Sequence, residues 1–381
     1  MITQTEQARY EHAIKHLNKA IELKVDFVDA YIRRGNFHRD MGKFVLAIDD
    51  YNTAIRLTGS PAEAYYNRGV AYGMKGEVDK AIDDFTHAIR YQLDYTQAYD
   101  SRGTAYAIRG EPDLAIVDFS KAIRLEPDYA RFYYSRGHAY SLKRELDMAI
   151  SDYTKAIQLD SKSDDFYIDR GNAYSSKRKF DLAIADYRKA LELKPSDAYA
   201  YRKLGNVYFL QGDFDSTIVN YNTAIKLNPN DAHTYHFRGF AYFFKGNFDL
   251  ALADYEKALK LKPDYLQVYY TRARTWLYQK EWKKAKKDLT TAKDKGLNIF
   301  ALFRKSYDSV ADFERQNDVK LPEDIAAMLT QQERISTLPV EENQHQPPCG
   351  IEMHLFKDIT AIFPEQETRF SVRHKAENPF H

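Results

Sequence analysis

Residues 62–95 read AEAYYNRGVAYGMKGEVDKAIDDFTHAIRYQLDY. In the first half Tyr65, Gly69 and Tyr72 stand at i, i+4 and i+7, and in the second half Ala81, Phe85 and Ala88 repeat that spacing. Both are helical stripes, one apolar face per helix. Lys75-Gly76-Glu77 lies between them as a turn. The stretch therefore predicts two amphipathic helices joined tightly, an αα-hairpin.

The same hairpin recurs along the chain. Gly35, Gly69, Gly103, Gly137, Gly171, Gly205 and Gly239 follow one another at intervals of 34, and one more step lands on Ala273. Twelve residues after each stand Ala47, Ala81, Ala115, Ala149, Ala183, Thr217, Ala251 and Ala285, and four further on Tyr51, Phe85, Phe119, Tyr153, Tyr187, Tyr221, Tyr255 and Leu289. Pro127, Pro195, Pro229 and Pro263 stop the second helix in four copies. A glycine inside a helix costs about 1 kcal/mol relative to alanine. Its return in copy after copy implies a backbone approached too closely for any side chain. One hairpin cannot bury both stripes, but stacked neighbours can, so the period predicts an all-α solenoid of antiparallel helix pairs.

The pattern of aromatic, small, Tyr, Ala, aromatic, Ala and Pro on a 34-residue period resembles the tetratricopeptide repeat, over eight units from 28 to 299. The resemblance implies a right-handed superhelix whose concave groove, lined mostly by first helices, holds a peptide or helix of another protein. Residues 1–27 read as the second helix of a further repeat, with Ala13, Leu17 and Ala20 in the matching columns. Two expectations stand for that end: an upstream part of the repeat is missing from this chain, or the end docks against something, a second copy of the chain being one candidate. Residues 300–330 are expected to cap the eighth unit. Ser306 to Gln316 reads as one helix carrying Val310 and Phe313, and a second opens at Leu321-Pro322-Glu323-Asp324 with Ile325, Met328 and Leu329 as its stripe. From 331 to 381 the composition reads as a linker and weakly structured tail, with Cys349 and an apolar segment from Ile351 to Phe363 that is a candidate to fill the groove.

Composition narrows the function. Lys plus Arg number 56 against 55 Asp plus Glu, so a protein-wide field for nucleic acid is not expected. A single cysteine makes neither an internal disulfide nor a thiolate metal cage. No apolar run approaches the roughly 18 residues of a membrane span, and the first ten residues lack the basic flank and apolar core of a secretory signal. The reading is cytoplasmic, with no membrane. No phosphate-binding glycine loop, nucleophile elbow or His-Glu zinc motif is present. His12 and His16, and His233 and His236, sit at helical spacing without a third ligand. Acid pairs such as Asp49-Asp50 and Asp83-Asp84 read as helix surface. The expectation is a non-enzymatic chain with no cofactor and no metal.

Two further columns are charged. Arg34, Arg68, Arg102, Arg136, Arg170, Arg238 and Arg272 precede the small residue, and Asp50, Asp84, Asp118, Asp152, Asp186, Asp254 and Asp288 precede the second-helix aromatic. The sixth unit loses both together, with Leu204 and Asn220 instead. This covariation within one chain predicts that each Arg pairs with the Asp of its own unit. Tyrosine is abundant, 30 against 22 Phe and 2 Trp, and much of it falls four before and three after the small residue.

The family's ligand-facing positions are polar in the early units, for example Asp29, Arg33, Asn36, Arg39, Asp40, Glu63 and Asn67. In the late units they are Tyr199, Phe209, Leu210, Phe237, Phe240, Phe243, Phe244, Tyr270, Leu277 and Tyr278. Buried aromatics anchor interfaces, so these are the expected groove contacts for a protein or peptide partner. Asn36 and Asn67 match two places of the clamp that chaperone-binding members use, but Ile32, Gln97 and Ser101 occupy the other three. Residues 266–299 hold nine Lys or Arg and three Asp or Glu, with Lys283, Lys284, Lys286 and Lys287 clustered on the second helix. A nucleic acid or other anionic partner there is the alternative expectation, the acidic tail is another occupant, and a regulatory module of a larger multidomain enzyme is a third reading.

Overall fold

The computed structural model describes residues 4–330. Among them are twenty α-helices and no strand. The chain divides into two compact bodies, the first running to Lys177 and the second beginning at Arg178.

In the N-terminal body α1 (Gln4–Leu23) precedes four complete pairs. These are α2 (Val28–Asp40) with α3 (Phe44–Leu57), α4 (Ala62–Lys75) with α5 (Val78–Tyr91), α6 (Thr96–Arg109) with α7 (Pro112–Leu125), and α8 (Ala130–Leu142) with α9 (Leu146–Leu159), followed by α10 (Asp164–Ser176). The C-terminal body opens with α11 (Phe180–Leu193). Three pairs follow: α12 (Ala198–Leu210) with α13 (Phe214–Leu227), α14 (Ala232–Phe244) with α15 (Phe248–Leu261), and α16 (Leu266–Tyr278) with α17 (Trp282–Asp294). The boundary thus passes through the turn of the fifth repeat. Within each body the helices of the repeats pack mainly on their neighbours in sequence, which makes each an α-solenoid of antiparallel pairs.

The close approach that the glycine column requires is present. A Cβ built on Gly103 would lie 2.9 Å from Phe119 Cε1, and the Phe119 ring is wholly buried under α6. The hairpin turn carries a second constraint. Gly76 and Gly110 close α4 and α6 at φ +85°, and at the same repeat position Arg144, Arg178 and Lys280 adopt φ near +60°. Non-glycine residues there cost about 1 kcal/mol each, which the packed hairpin overrides.

The C-terminal end departs in detail from the expected helices. Ile299–Ser306 forms a helix, α18, that periodicity did not separate from its surroundings. The next helix, α19 (Val310–Asn317), starts four residues later than expected because Ser309 caps it, its Oγ accepting from the Asp312 N–H at 3.0 Å. It is followed by α20 (Glu323–Thr330). Ile299, Phe303, Phe313, Leu321, Ile325 and Leu329 bury one face of these helices in a common cluster with Ala273, Leu277, Ala285, Leu289 and Ala292 of the last pair. Cys349, the segment Ile351–Phe363 and its expected occupation of the groove lie outside the described residues.

Candidate functional site

The Arg column and the Asp column meet within six of the pairs. Arg102 Nε and Nη2 donate to Asp118 Oδ2 and Oδ1 at 2.8 and 2.9 Å, a bidentate pair across the hairpin. Arg34–Asp50, Arg68–Asp84, Arg136–Asp152, Arg238–Asp254 and Arg272–Asp288 repeat it. Arg170 and Asp186 stand one in each body. The guanidinium groups of Arg68, Arg102, Arg136, Arg170 and Arg238 are also flanked by two tyrosines each, and those of Arg34 and Arg272 by one; that of Arg102 lies 5.7 Å from the Tyr99 ring and 5.8 Å from Tyr106. This accounts for much of the tyrosine excess.

A further link was not read from the sequence. The remaining guanidinium nitrogen reaches back to the preceding second helix, sixteen residues upstream: Arg68 to Asn52, Arg102 to Thr86, Arg136 to Ser120, Arg170 to Thr154 and Arg238 to Asn222. A second ladder runs along the edge, from the end of one first helix to the start of the preceding second helix. Arg109 reaches Asp79 at 3.0 Å, Lys143 reaches Asp113 at 2.7 Å, Lys177 reaches Asp147, and Lys245 reaches Asp215. Its signal, Asp at the second place of six second helices (Asp79, Asp113, Asp147, Asp181, Asp215 and Asp249), recurs with the 34-residue period and is legible. These exposed pairs contribute about 0–1 kcal/mol each.

The late-unit aromatics are distributed differently from the expected groove surface. Phe209 and Phe240 are each 1% exposed, and their rings stack at 5.5 Å. Phe237, Phe243, Tyr270 and Leu277 are buried as well. The Arg274 guanidinium, itself buried, lies 4.6 Å from the Phe243 ring and 5.1 Å from Phe240. These six side chains are core, because the ring of one first helix covers the ring of the next. Tyr199 is half-buried, with the cations of Arg202 and Lys203 at 4.9 and 5.1 Å from its ring. Leu210, Phe244 and Tyr278 are also half-buried and recur at one repeat position, where each first helix ends. Phe214 and Phe248 extend them: Phe214 stacks on Phe244 at 5.6 Å, and Phe248 lies 5.8 Å from Tyr278. These five side chains form a half-buried apolar strip along the turns, whereas Leu182, Val219 and Leu250 stand singly and more exposed on the second helices.

On α17 the four lysines are exposed. Lys286 pairs with Asp324 of α20 at 2.6 Å, and Lys284 lies 4.4 Å from the Trp276 ring. Lys283 and Lys287 stand exposed on the same helix. The histidine pair of α14 is bound to a tyrosine: His233 Nδ1 and His236 Nδ1 each lie 3.0 Å from the Tyr265 hydroxyl. Burial pushes His236 down to about 3, so it is neutral. Among the described residues no group of three potential metal ligands converges.

Asp100 on α6 was not singled out by its sequence. It is half-buried, its Oδ1 is closed off from solvent without a hydrogen-bond partner among the described residues, and burial lifts its carboxyl to about 6 against the opposing pull of Arg131. A folded-state value above the unfolded one means that ionisation opposes folding, so stability falls as pH rises from about 4 through 6. Asp100→Asn is therefore expected to gain about 2 kcal/mol on the wild type at pH 7.5, and nearly nothing at pH 4. Urea midpoints at the two pH values check it, and an equal gain at both removes ionisation as the cause.

Two family models, described as TPR repeat and tetratricopeptide repeat, match this chain. The first covers residues 35–76, 103–143, 171–212 and 205–246, the second 62–95, 130–163 and 232–265. Together they span more than half of it. Among solved structures, a tetratricopeptide repeat protein from Parabacteroides merdae is 22% identical, with 62% of this chain and 94% of that one aligned at a TM-score of 0.53. A chain of the APC/C hetero-tetramer Cut9-Hcn1 is 20% identical over 71% of this chain and 53% of its own, with a TM-score of 0.51. MamA is 27% identical over 43% of this chain and 96% of its own, with a TM-score of 0.41. Comparison with curated proteins gives no match. The period, the small-into-large columns, the stacked pairs and the matched family models lead to one conclusion: this chain belongs to the tetratricopeptide-repeat family.

Proposed function

We propose that the chain is a non-enzymatic, cytoplasmic scaffold or adaptor that binds an apolar peptide or amphipathic helix of another protein. The observation that carries this reading is the half-buried strip Leu210, Phe244 and Tyr278, continued by Phe214 and Phe248. An apolar strip flanked by polar helix ends is a surface that gains by being covered. No described helix is long and apolar enough to cross a membrane.

The test is capture from a native lysate by the wild type and by Leu210→Ala with Phe244→Ala, with circular dichroism on both. Partners retained by the wild type are expected to fall at least tenfold with the variant while helicity is kept. Undiminished capture by a folded variant moves the site elsewhere.

A second reading has its own observation, the exposed Lys283 and Lys287 on α17. An anionic partner there would be held mainly by counterion release, so its binding would fall steeply with salt. Failure of RNA or DNA to shift at low salt removes nucleic acid from the candidates.

A further inference from the structure

In a complete pair the small-large-small face of the second helix is sealed by its own first helix together with that of the next repeat: Ala47, Tyr51 and Ala54 of α3 are wholly buried, Tyr51 against Gly35 of α2, and all three clustered with Ala71 or Ala64 of α4. The matching face of α1, Ala13, Leu17 and Ala20, is only half-buried. The other flank of α1 is occupied, with Ile21 packing against Tyr31 and Ile32 of α2, and Asn18 accepting from Arg34. Among the described residues α2 is the helix that packs on α1. The half-covered face continues in both directions as Glu6, Tyr10, Ala13, Leu17, Ala20 and Lys24, at spacings that alternate between four and three. That alternation is the seam of a two-helix coiled coil. One side of the Tyr10 ring meets Phe37 of α2 at 5.3 Å, which steadies it while leaving it half-buried. Lys24 lies one residue beyond α1, and its N–H still bonds the Ala20 carbonyl at 2.9 Å.

We propose that this seam pairs with the same seam of a second copy of the chain, the two α1 helices running antiparallel about a two-fold axis. The occupant is indicated by self-complementarity. In the antiparallel register centred on Lys15, Ala13 meets Leu17 of the other copy and Leu17 meets Ala13. Tyr10 meets Ala20 in the same way, small against large throughout. Glu6 meets Lys24 at both ends, acid against base. Such an isologous contact closes at two copies and generates each of these pairs twice. A parallel pairing would set Glu6 on Glu6 and Lys24 on Lys24, and Leu17 against Leu17 beside Ala13 against Ala13. The proposal stands apart from the strip in the C-terminal body, since it uses only α1.

Sedimentation equilibrium of the full chain over a dilution series tests it. The wild type is expected to approach twice the chain mass at high concentration. Leu17→Glu should weaken dimerisation at least tenfold. Glu6→Lys alone and Lys24→Glu alone should each self-associate several-fold more weakly, because each places like charges at both ends of the seam. Their equimolar mixture should recover dimer. In the mixed pair the introduced lysine of one copy faces the introduced glutamate of the other, and the unchanged Lys24 faces the unchanged Glu6. This last arm does not depend on Leu17→Glu folding well. A wild type that stays monomeric at every concentration overturns the proposal. So does a dimer indifferent to Leu17→Glu, or a pair of charge variants that associate no better mixed than alone.

Discussion

Asp118→Ala is expected to cost the N-terminal body about 3 kcal/mol, whereas Arg102→Leu combined with Asp118→Asn costs less than about 1 kcal/mol. The Arg102 side chain is 16% exposed and that of Asp118 only 4%. Burial lifts the Asp118 carboxyl above its ordinary range despite the guanidinium beside it. Burial pulls the Arg102 guanidinium down and the carboxylate in turn raises it above its ordinary value, so the attraction offsets the desolvation of the guanidinium but not that of the carboxylate, and removing both partners costs little. Removing only the carboxylate leaves a cation between two tyrosine rings with one remaining bond, to Thr86 at 3.0 Å. The chain already contains the double substitution. In the sixth repeat Leu204 is buried at the Arg position, and Asn220 turns its amide to the Ser216 carbonyl of its own helix at 2.8 Å. Because repeat arrays do not unfold as one unit, urea midpoints should be read together with hydrogen exchange of the α6 and α7 amides. A single variant as mild as the double one would mean that water serves Arg102 as well as Asp118 does.

The exception in the sixth repeat has a local cause. Sixteen residues before each ladder arginine stands a group that accepts a hydrogen bond or opposes its charge: Asn18, Asn52, Thr86, Ser120, Thr154, Asn222 or Glu256. Before Leu204 stands Arg188. An arginine at 204 would have met a second guanidinium at the place where its siblings find an oxygen. Arg188 instead donates to the Tyr208 hydroxyl at 2.6 Å. The charge of one repeat thus sets what its neighbour carries.

The features legible in the sequence are those that geometry forces on every repeat. Gly103 must be small because Phe119 lies against its backbone, and the same demand recurs 34 residues on, so a column results. The Arg–Asp pairing was legible for a different reason, the joint loss at Leu204 and Asn220. The burial of Phe209, Phe237, Phe240 and Phe243 was not legible. A repeat position states which way a side chain leaves its own helix. Whether the ring meets solvent depends on the ring one repeat away, and here both positions are large. The short α18 was missed because eight residues give too few turns for a stripe to declare itself. Asp100 carried no pattern, since its environment comes from neighbouring first helices.

Phe240→Ala should remove about 3–4 kcal/mol from the C-terminal body, two to three times the cost of Phe244→Ala. The Phe240 ring is 1% exposed and lies 5.5 Å from Phe209 and 4.8 Å from Phe244, with Arg274 above it. Its neighbours sit on α12, α14 and α16, each fixed by its own pair, so the vacated space closes only in part. The Arg274 guanidinium would keep Phe243 but lose one of its flanking faces. Phe244 is half-buried, and its truncation removes less packing while stripping the outward apolar strip. The two substitutions separate core from docking surface: Phe240→Ala shifts the urea midpoint strongly, whereas Phe244→Ala lowers partner capture with a small shift. The reverse result, an unmoved midpoint and lost capture for Phe240→Ala, would place that ring on the partner's side of the surface and undo the packing of α12 against α14 described above.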